Sequence, residues 1–318
     1  MAGELVSNGM NLVKAIGLKL ASALLFTVMS VLVRHLGADV PVGEVVFFRG
    51  LFAIPPVLAI YAWRDEIMAA IHTTEPFGQL LRGLISSVGM FANFSALARI
   101  PIADVTAIGF AAPLITVALA AWILKERVRI FRWSAVVIGL IGVIVMLLPH
   151  LDIGRFAVVA TTTTTIGSLL ALCSAFTNAA ATIQTRRLVR TEKTASIVFY
   201  FSLTTAIGGA LTLPFEWYTP DLLQFFELIA LGVLGGIGHI FLTESYRYAP
   251  ASVIAPFDYS SMLWALLLGY WFFGEVPGTL VLVGAAIVVA AGLFVIWRER
   301  QLGLRHREPE DPTTPTRC

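Results

Sequence analysis

The sequence predicts an all-α integral membrane protein: ten transmembrane helices, forming two inverted five-helix repeats around a central cavity, with both termini cytoplasmic. Three observations carry this prediction: composition, a lopsided distribution of positive charge, and self-similarity at a fixed offset. Of the 318 residues, 58% are hydrophobic and only 13% are charged, whereas soluble domains carry about 25% charged residues. Mean hydropathy is +0.84. Much of the surface must therefore face something other than water, and about 20 apolar residues make one bilayer span. The net charge of +2 gives a nucleic acid little to bind, so no such partner is expected.

Apolar runs, interrupted by charge, proline or polar clusters, place spans at 13–36, 44–63, 80–99, 103–124, 133–149, 166–186, 195–215, 222–247, 251–273 and 277–297. The first is too long for the apolar core of a cleavable signal and is read as an uncleaved span. Residues 1–12 form a cytoplasmic N-terminus, 150–165 an external linker, and 298–318 a charged, proline-containing disordered tail. Arg64–Gln79 and Pro149–Thr165 are long enough to hold short surface helices, and Thr161–Thr165 reads as low-complexity loop. Cys173 lies in an apolar run and Cys318 is the last residue, so no disulfide framework is expected.

Charge sets the orientation. With the N-terminus inside, eighteen Lys and Arg fall on the cytoplasmic side, including Lys14, Lys19, Arg82, the Lys125–Arg132 cluster and Arg186–Lys193. Only Arg34, Arg99 and Arg155 fall outside, and Arg49 lies within a span. Such a bias fixes an N-in, C-in topology.

At an offset of 149, Gly89 pairs with Gly238, Pro101 with Pro250, Trp122 with Trp271, and Glu126 with Glu275. At 150, Gly17, Leu20, Ala21, Phe26 and Thr27 meet Gly167, Leu170, Ala171, Phe176 and Thr177. This assigns residues 13–149 and 166–297 to two copies of one unit. Five spans per copy is odd, so the second copy enters the membrane inverted. The basic Lys125–Arg129 loop and its partner Gly274–Gly278, which lacks Lys and Arg, agree with that inversion. Inverted repeats are a transporter architecture, with the substrate near the midplane between them.

Several segments carry a family resemblance: Pro101–Ala107 and Pro113–Ile115 in the fourth span, Leu124–Glu126 at its end, and the matching Ala249–Ala255 and Phe273–Glu275. They resemble the EamA-type members of the drug/metabolite transporter superfamily, over residues 13–297. The resemblance implies a bacterial-type inner-membrane protein whose cavity is lined by spans 1, 3, 4, 6, 8 and 9, with spans 5 and 10 peripheral. Glu44–Gly50 and Leu81–Gly83 look more like the metabolite-uptake branches. Riboflavin uptake is the first expectation, S-adenosylmethionine uptake the second, and amino-acid or metabolite export the third.

Ionisable groups inside spans mark a pathway or a partnered structural site. Arg49 is either a carboxylate contact or gate, or a guanidinium held by Glu44 or by carbonyls near a helix end. His239 and Glu244, with Thr243 and Tyr246 on or beside one face of the eighth span, offer a proton site or a substrate contact; alternatively, Glu244 pairs with Arg247. Asp258 and Tyr259 follow Pro256, which frees a carbonyl near the midplane, so an acid there suits a solvated cavity. Asn93 and Asn178, with Ser95 and Gln184, serve either to orient a polar substrate or as interhelical hydrogen-bond glue. Phe26, Phe110, Phe176, Tyr259 and Trp264 are candidates for stacking a flat ring. Glu126 and Glu275 read as anchors beside the interfacial Trp122 and Trp271.

No Walker-type phosphate loop is present, nor His-Glu-x-x-His, Cys-x-x-Cys or an Asp-rich motif. The reading is a non-enzymatic secondary transporter with no catalytic residues, cofactor or metal. Its partners are a small-molecule substrate, the lipid bilayer and, as one coupling option, protons. The glycines 139, 142, 284 and 292 serve close packing of spans 5 and 10; monomer and homodimer both stay open.

Overall fold

A computed structural model describes residues 2–37, 39–63, 68, 71–123, 130–148, 163–188, 191–215, 217–248 and 255–305. Among these, every regular element is helical. Helix α1 (Ala2–Leu36) holds the first span and runs back through the expected N-terminal segment. Next come α2 (Val42–Trp63) and α3 (Pro76–Leu97), which begins ahead of residue 80 because Pro76 sits in its first turn, where a missing N–H costs nothing. The fourth span divides into α4 (Ile102–Gly109) and α5 (Ala111–Ile123), and α6 (Ile130–Leu147) supplies the fifth.

The second half opens with α7 (Thr163–Leu188). Thr163–Thr165 is therefore helical, correcting the loop expectation. Within the first turns of α7, Ser168 Oγ donates back to the Thr164 carbonyl at 3.0 Å, so that hydroxyl is satisfied within the helix. Helix α8 (Thr194–Ala210) ends before residue 215, in turns over 211–214. Helix α9 spans Leu222–Tyr248. The ninth span is a 3₁₀ turn (Ala255–Tyr259) followed by α10 (Ser260–Phe273). Helix α11 (Thr279–Arg305) continues past residue 297 into the segment expected as tail. Residues 298–302 are good helix formers, and Arg298 Nη1 donates to Gln301 Oε1 at 3.3 Å along the helix. The Lys125–Arg129 loop with Glu126, Arg155, and residues 249–254 lie outside the described residues.

Among the described residues, five segments are long and apolar enough to cross a bilayer: Leu12–Leu36, Val42–Ala59, Pro76–Leu97, Thr163–Thr185 and Leu222–Leu242. The fourth and ninth spans are each interrupted. Pro113 lacks an N–H and its ring opposes the carbonyl four residues back, that of Gly109, the last residue of α4. Pro256 lies in the 3₁₀ turn of the ninth span. Phe110 and Tyr259 mark the two breaks and are 149 residues apart, the same offset at which the sequence matches itself. Their rings meet edge to face, with centroids 5.1 Å apart.

Packing follows the same exchange of halves. Helix α1 lies along α9 and α3 along α7, while α2 meets α8 and α6 meets α11. Lipid tails give helices no hydrophobic reason to associate, so close backbone approach and small residues must supply the attraction. Gly142 and Gly284 do this between α6 and α11: a Cβ on Gly142 would stand 2.8 Å from the Gly284 carbonyl oxygen. Gly139 instead receives Leu114, and Gly292 receives Tyr259. The outward shell is apolar; Val137, Ile141, Ile144, Leu222, Leu263 and Trp271 are all exposed.

Polar contacts pin the two ends of the bundle. At one end, Glu275 forms an ion pair with Arg34 (3.0 Å) and accepts the Ile102 N–H that opens α4 (3.0 Å). Arg34 also donates to the Leu97 carbonyl at 2.7 Å. At the other end, Glu192 Oε1 accepts from Thr73 Oγ1, Thr74 N, Thr74 Oγ1 and Glu75 N, at 2.6 to 2.9 Å. Burial pushes the Glu192 carboxyl up, but these bonds outweigh it and hold the group at about 2.

Candidate functional site

The breaks in spans four and nine shape the first part of the site. Asp258 lies in the 3₁₀ turn, and its carboxylate meets Lys19 of α1 at 2.6 Å. Lys19 is 2% exposed and Asp258 is 52% exposed. Lys19 is thus a bundle-interior cation and not the loop charge counted from the sequence. Beside it, Tyr259 joins Phe110 and packs into the gap left by Gly292.

The second part is built on Phe201 of α8. Arg49, seven residues into α2 and about 10 Å along its axis, is 1% exposed and stands 4.7 Å from the Phe201 ring centroid. Arg82 of α3 stands 5.0 Å from the same centroid. The rings of Phe26 and Phe201 each meet the imidazole of His239 in a T-shaped contact, with centroids 4.9 and 5.1 Å apart. Arg82 is partly satisfied by Thr185 Oγ1 (2.8 Å) and the Ile197 carbonyl (3.1 Å). Arg49 is not: among the described residues, its Nε and Nη1 are buried without a hydrogen-bond partner. Glu44 accepts the Tyr218 N–H at 3.2 Å, and no ion pair joins it to Arg49 among the described residues. Pairing of Arg49 with Glu44 is therefore not seen among the described residues.

Helix α1 links the two parts. Lys19, Phe26 and Met29 recur at helical spacing along one stripe, and Met29 lies beside Gly235 and Arg49. The structure thus groups Arg49 with His239, and Asp258 with Tyr259. Glu244 is partly buried further along α9, turned roughly 140° from His239 by five helical residues. Asn178 is exposed, and its amide donates to Ser174 Oγ on its own helix at 3.4 Å. Asn93 is partly buried on α3. The side chains of Thr243, Tyr246 and Arg247 lie outside the described residues.

Lys19, Arg82, Phe201 and Gly235 were not singled out from the sequence. Lys19 and Arg82 sit inside the apolar runs 13–36 and 80–99; intramembrane position, the signal that exposed Arg49, would have exposed them too. Spans 2 and 7 also contribute to this group, through Arg49 and Phe201, beyond the six lining spans expected. Among the described residues no cluster could hold a metal ion.

The model of the EamA-like transporter family matches residues 13–148 and 165–297. The S-adenosylmethionine uptake transporter of Rickettsia prowazekii is 29% identical over 282 residues, covering 89% of this chain and 92% of that protein. The pseudopaline exporter of Pseudomonas aeruginosa is 29% identical, over 84% of this chain and 90% of its own length. The riboflavin transporter of Rhizobium johnstonii is 30% identical, over 76% of each chain. A solved crystal structure, 20% identical, shares the fold with a TM-score of 0.64 over 91% of this chain and 98% of its own. With both matched segments together spanning most of its length, the chain belongs to the EamA-like transporter family and is a multi-pass membrane transporter of a small molecule.

Proposed function

We propose that the protein takes up S-adenosylmethionine, or a close amino-acid-bearing analogue, by alternating access between its two halves. The observation that carries this is the Lys19–Asp258 pair at the broken ninth span. A half-exposed carboxylate opposite a buried ammonium suits a substrate cation that competes with Lys19 for it. S-adenosylmethionine brings an ammonium and a sulfonium to that acid, and an adenine ring to the aromatic groups nearby. Relatives named for S-adenosylmethionine uptake align over more of this chain than the riboflavin relative does. That order reverses the expectation from sequence, which placed riboflavin first.

The two halves act as inverted repeats in this reading. The exchange-symmetric packing and the paired breaks at Phe110 and Tyr259 support that relation, and discontinuous helices in equivalent positions suit a binding site. The charge bias supports an N-in, C-in orientation in a bacterial inner membrane. The test is counterflow in sealed liposomes. Labelled S-adenosylmethionine should accumulate against unlabelled S-adenosylmethionine but not against riboflavin. Riboflavin counterflow, with S-adenosylmethionine inert, overturns the substrate assignment.

A further inference from the structure

We infer that Arg49 is the carboxylate anchor of this transporter: a buried guanidinium, open on two nitrogens, that binds the carboxylate of the transported solute. The inference rests on the transport reading above but not on the identity of the substrate.

A guanidinium offers five N–H donors in a planar fork, and burying them unpaired is costly. Arg49 is 1% exposed, yet its Nε and Nη1 have no acceptor among the described residues. The ring of Phe201 returns part of the cost through its π face. It does not supply hydrogen-bond acceptors or charge neutralisation. A second guanidinium, that of Arg82, shares the ring and adds like charge. Arg82 has found two acceptors in Thr185 and Ile197, so its role is positional and Arg49 is the one with capacity left. Both guanidiniums also lie within electrostatic reach of His239.

A purely structural cation would be paired. Breaking up a buried charge pair is strongly unfavourable, and the nearest acid along α2, Glu44, is turned toward the Tyr218 backbone. What the site lacks is a planar acceptor with two oxygens and one negative charge. That is a carboxylate, which a guanidinium fork meets bidentately. Gly235 lets Arg49 and Met29 pack closely against α9: a Cβ there would stand 3.2 Å from Arg49 Nε and 3.2 Å from Met29 Sδ, crowding the fork. The contributing residues come from both halves, Arg49 and Arg82 from the first and Phe201, Gly235 and His239 from the second. A bound carboxylate therefore bridges surfaces that alternating access has to move against each other. Riboflavin has no carboxylate, so this site discriminates among the substrates for which the relatives are named.

The test uses matched pairs of free carboxylate and carboxamide, read by thermal shift on the full chain in detergent. The panel contains S-adenosylmethionine, methionine, histidine, aspartate, acetate and succinate, each with its amide, and inorganic phosphate and riboflavin as controls. The expected result is at least one carboxylate that stabilises wild type and whose amide binds at least about tenfold more weakly. Arg49→Gln should erase that preference, and Arg49→Lys should keep part of it. If Arg49→Gln fails to fold, Gly235→Ala, which keeps the charge but crowds Nε, should weaken the carboxylate and not the amide. An inert S-adenosylmethionine together with another Arg49-dependent carboxylate sinks the substrate assignment and upholds the anchor. Three outcomes overturn the anchor: acids and amides stabilising equally, phosphate outcompeting every carboxylate, or no carboxylate acting on wild type.

Discussion

Two acids at opposite extremes of environment show how single residues set the chemistry. Asp258 meets an ammonium that is 2% exposed, so Asp258→Asn leaves Lys19 buried opposite a neutral amide. Loss of a partner from a fully buried pair costs about 3–5 kcal/mol; half-exposed Asp258 should cost less. The expected outcome is a lowered melting temperature in detergent that Lys19→Met combined with Asp258→Asn largely restores. Glu192 works in the opposite setting, outside the spans. Its folded-state carboxyl is held at about 2 against an ordinary 4.5, so its contribution is complete above about 4.5 and is lost as pH falls toward about 2. Melting temperature should drop across that window in wild type and vary less in Glu192→Gln, whose neutral amide retains an acceptor but no charge.

At the level of elements, the interruptions matter more than the helices. Pro113 and Pro256 occupy the broken spans, and the rings of Phe110 and Tyr259 close on each other where the breaks meet. A half-helix end at membrane depth brings unsatisfied backbone groups into a site, which a continuous span cannot do. The α6–α11 pair, in contrast, is joined by bare backbone at Gly142 and Gly284. Gly142→Leu should destabilise by about 1–3 kcal/mol through overpacking, measured as a lower melting temperature. A variant that melts like wild type would mean that this contact does not hold the pair together.

At the scale of the whole molecule, both ends of the bundle are fastened by acids that reach between sequence-distant segments. Glu275 ties α1 to the start of α4, and Glu192 ties the chain before α8 to the chain before α3. A transporter that alternates must release one end at a time. Joining Arg34→Cys and Glu275→Cys with a short bis-maleimide should therefore stop counterflow, with the unlinked double variant as control. Undiminished transport in the linked protein would show that this end does not open.

Period, charge and composition are properties of the chain, so the sequence by itself determined the helical class and the approximate position of most helices, and it carries the self-similarity on which the proposed repeat rests. It also marked Arg49, His239, Asp258 and Tyr259, because an ionisable or hydroxylated group in an apolar run is conspicuous wherever it points. It could not determine which of them meet. Lys19 looked like a loop charge until α1 packed beside the 3₁₀ turn, and Arg82 until α3 carried it to Phe201. Partnership depends on helix rotation and on contacts between residues more than a hundred positions apart. Only tertiary packing decided that Lys19 has its counter-charge and that two nitrogens of Arg49 are buried without an acceptor among the described residues.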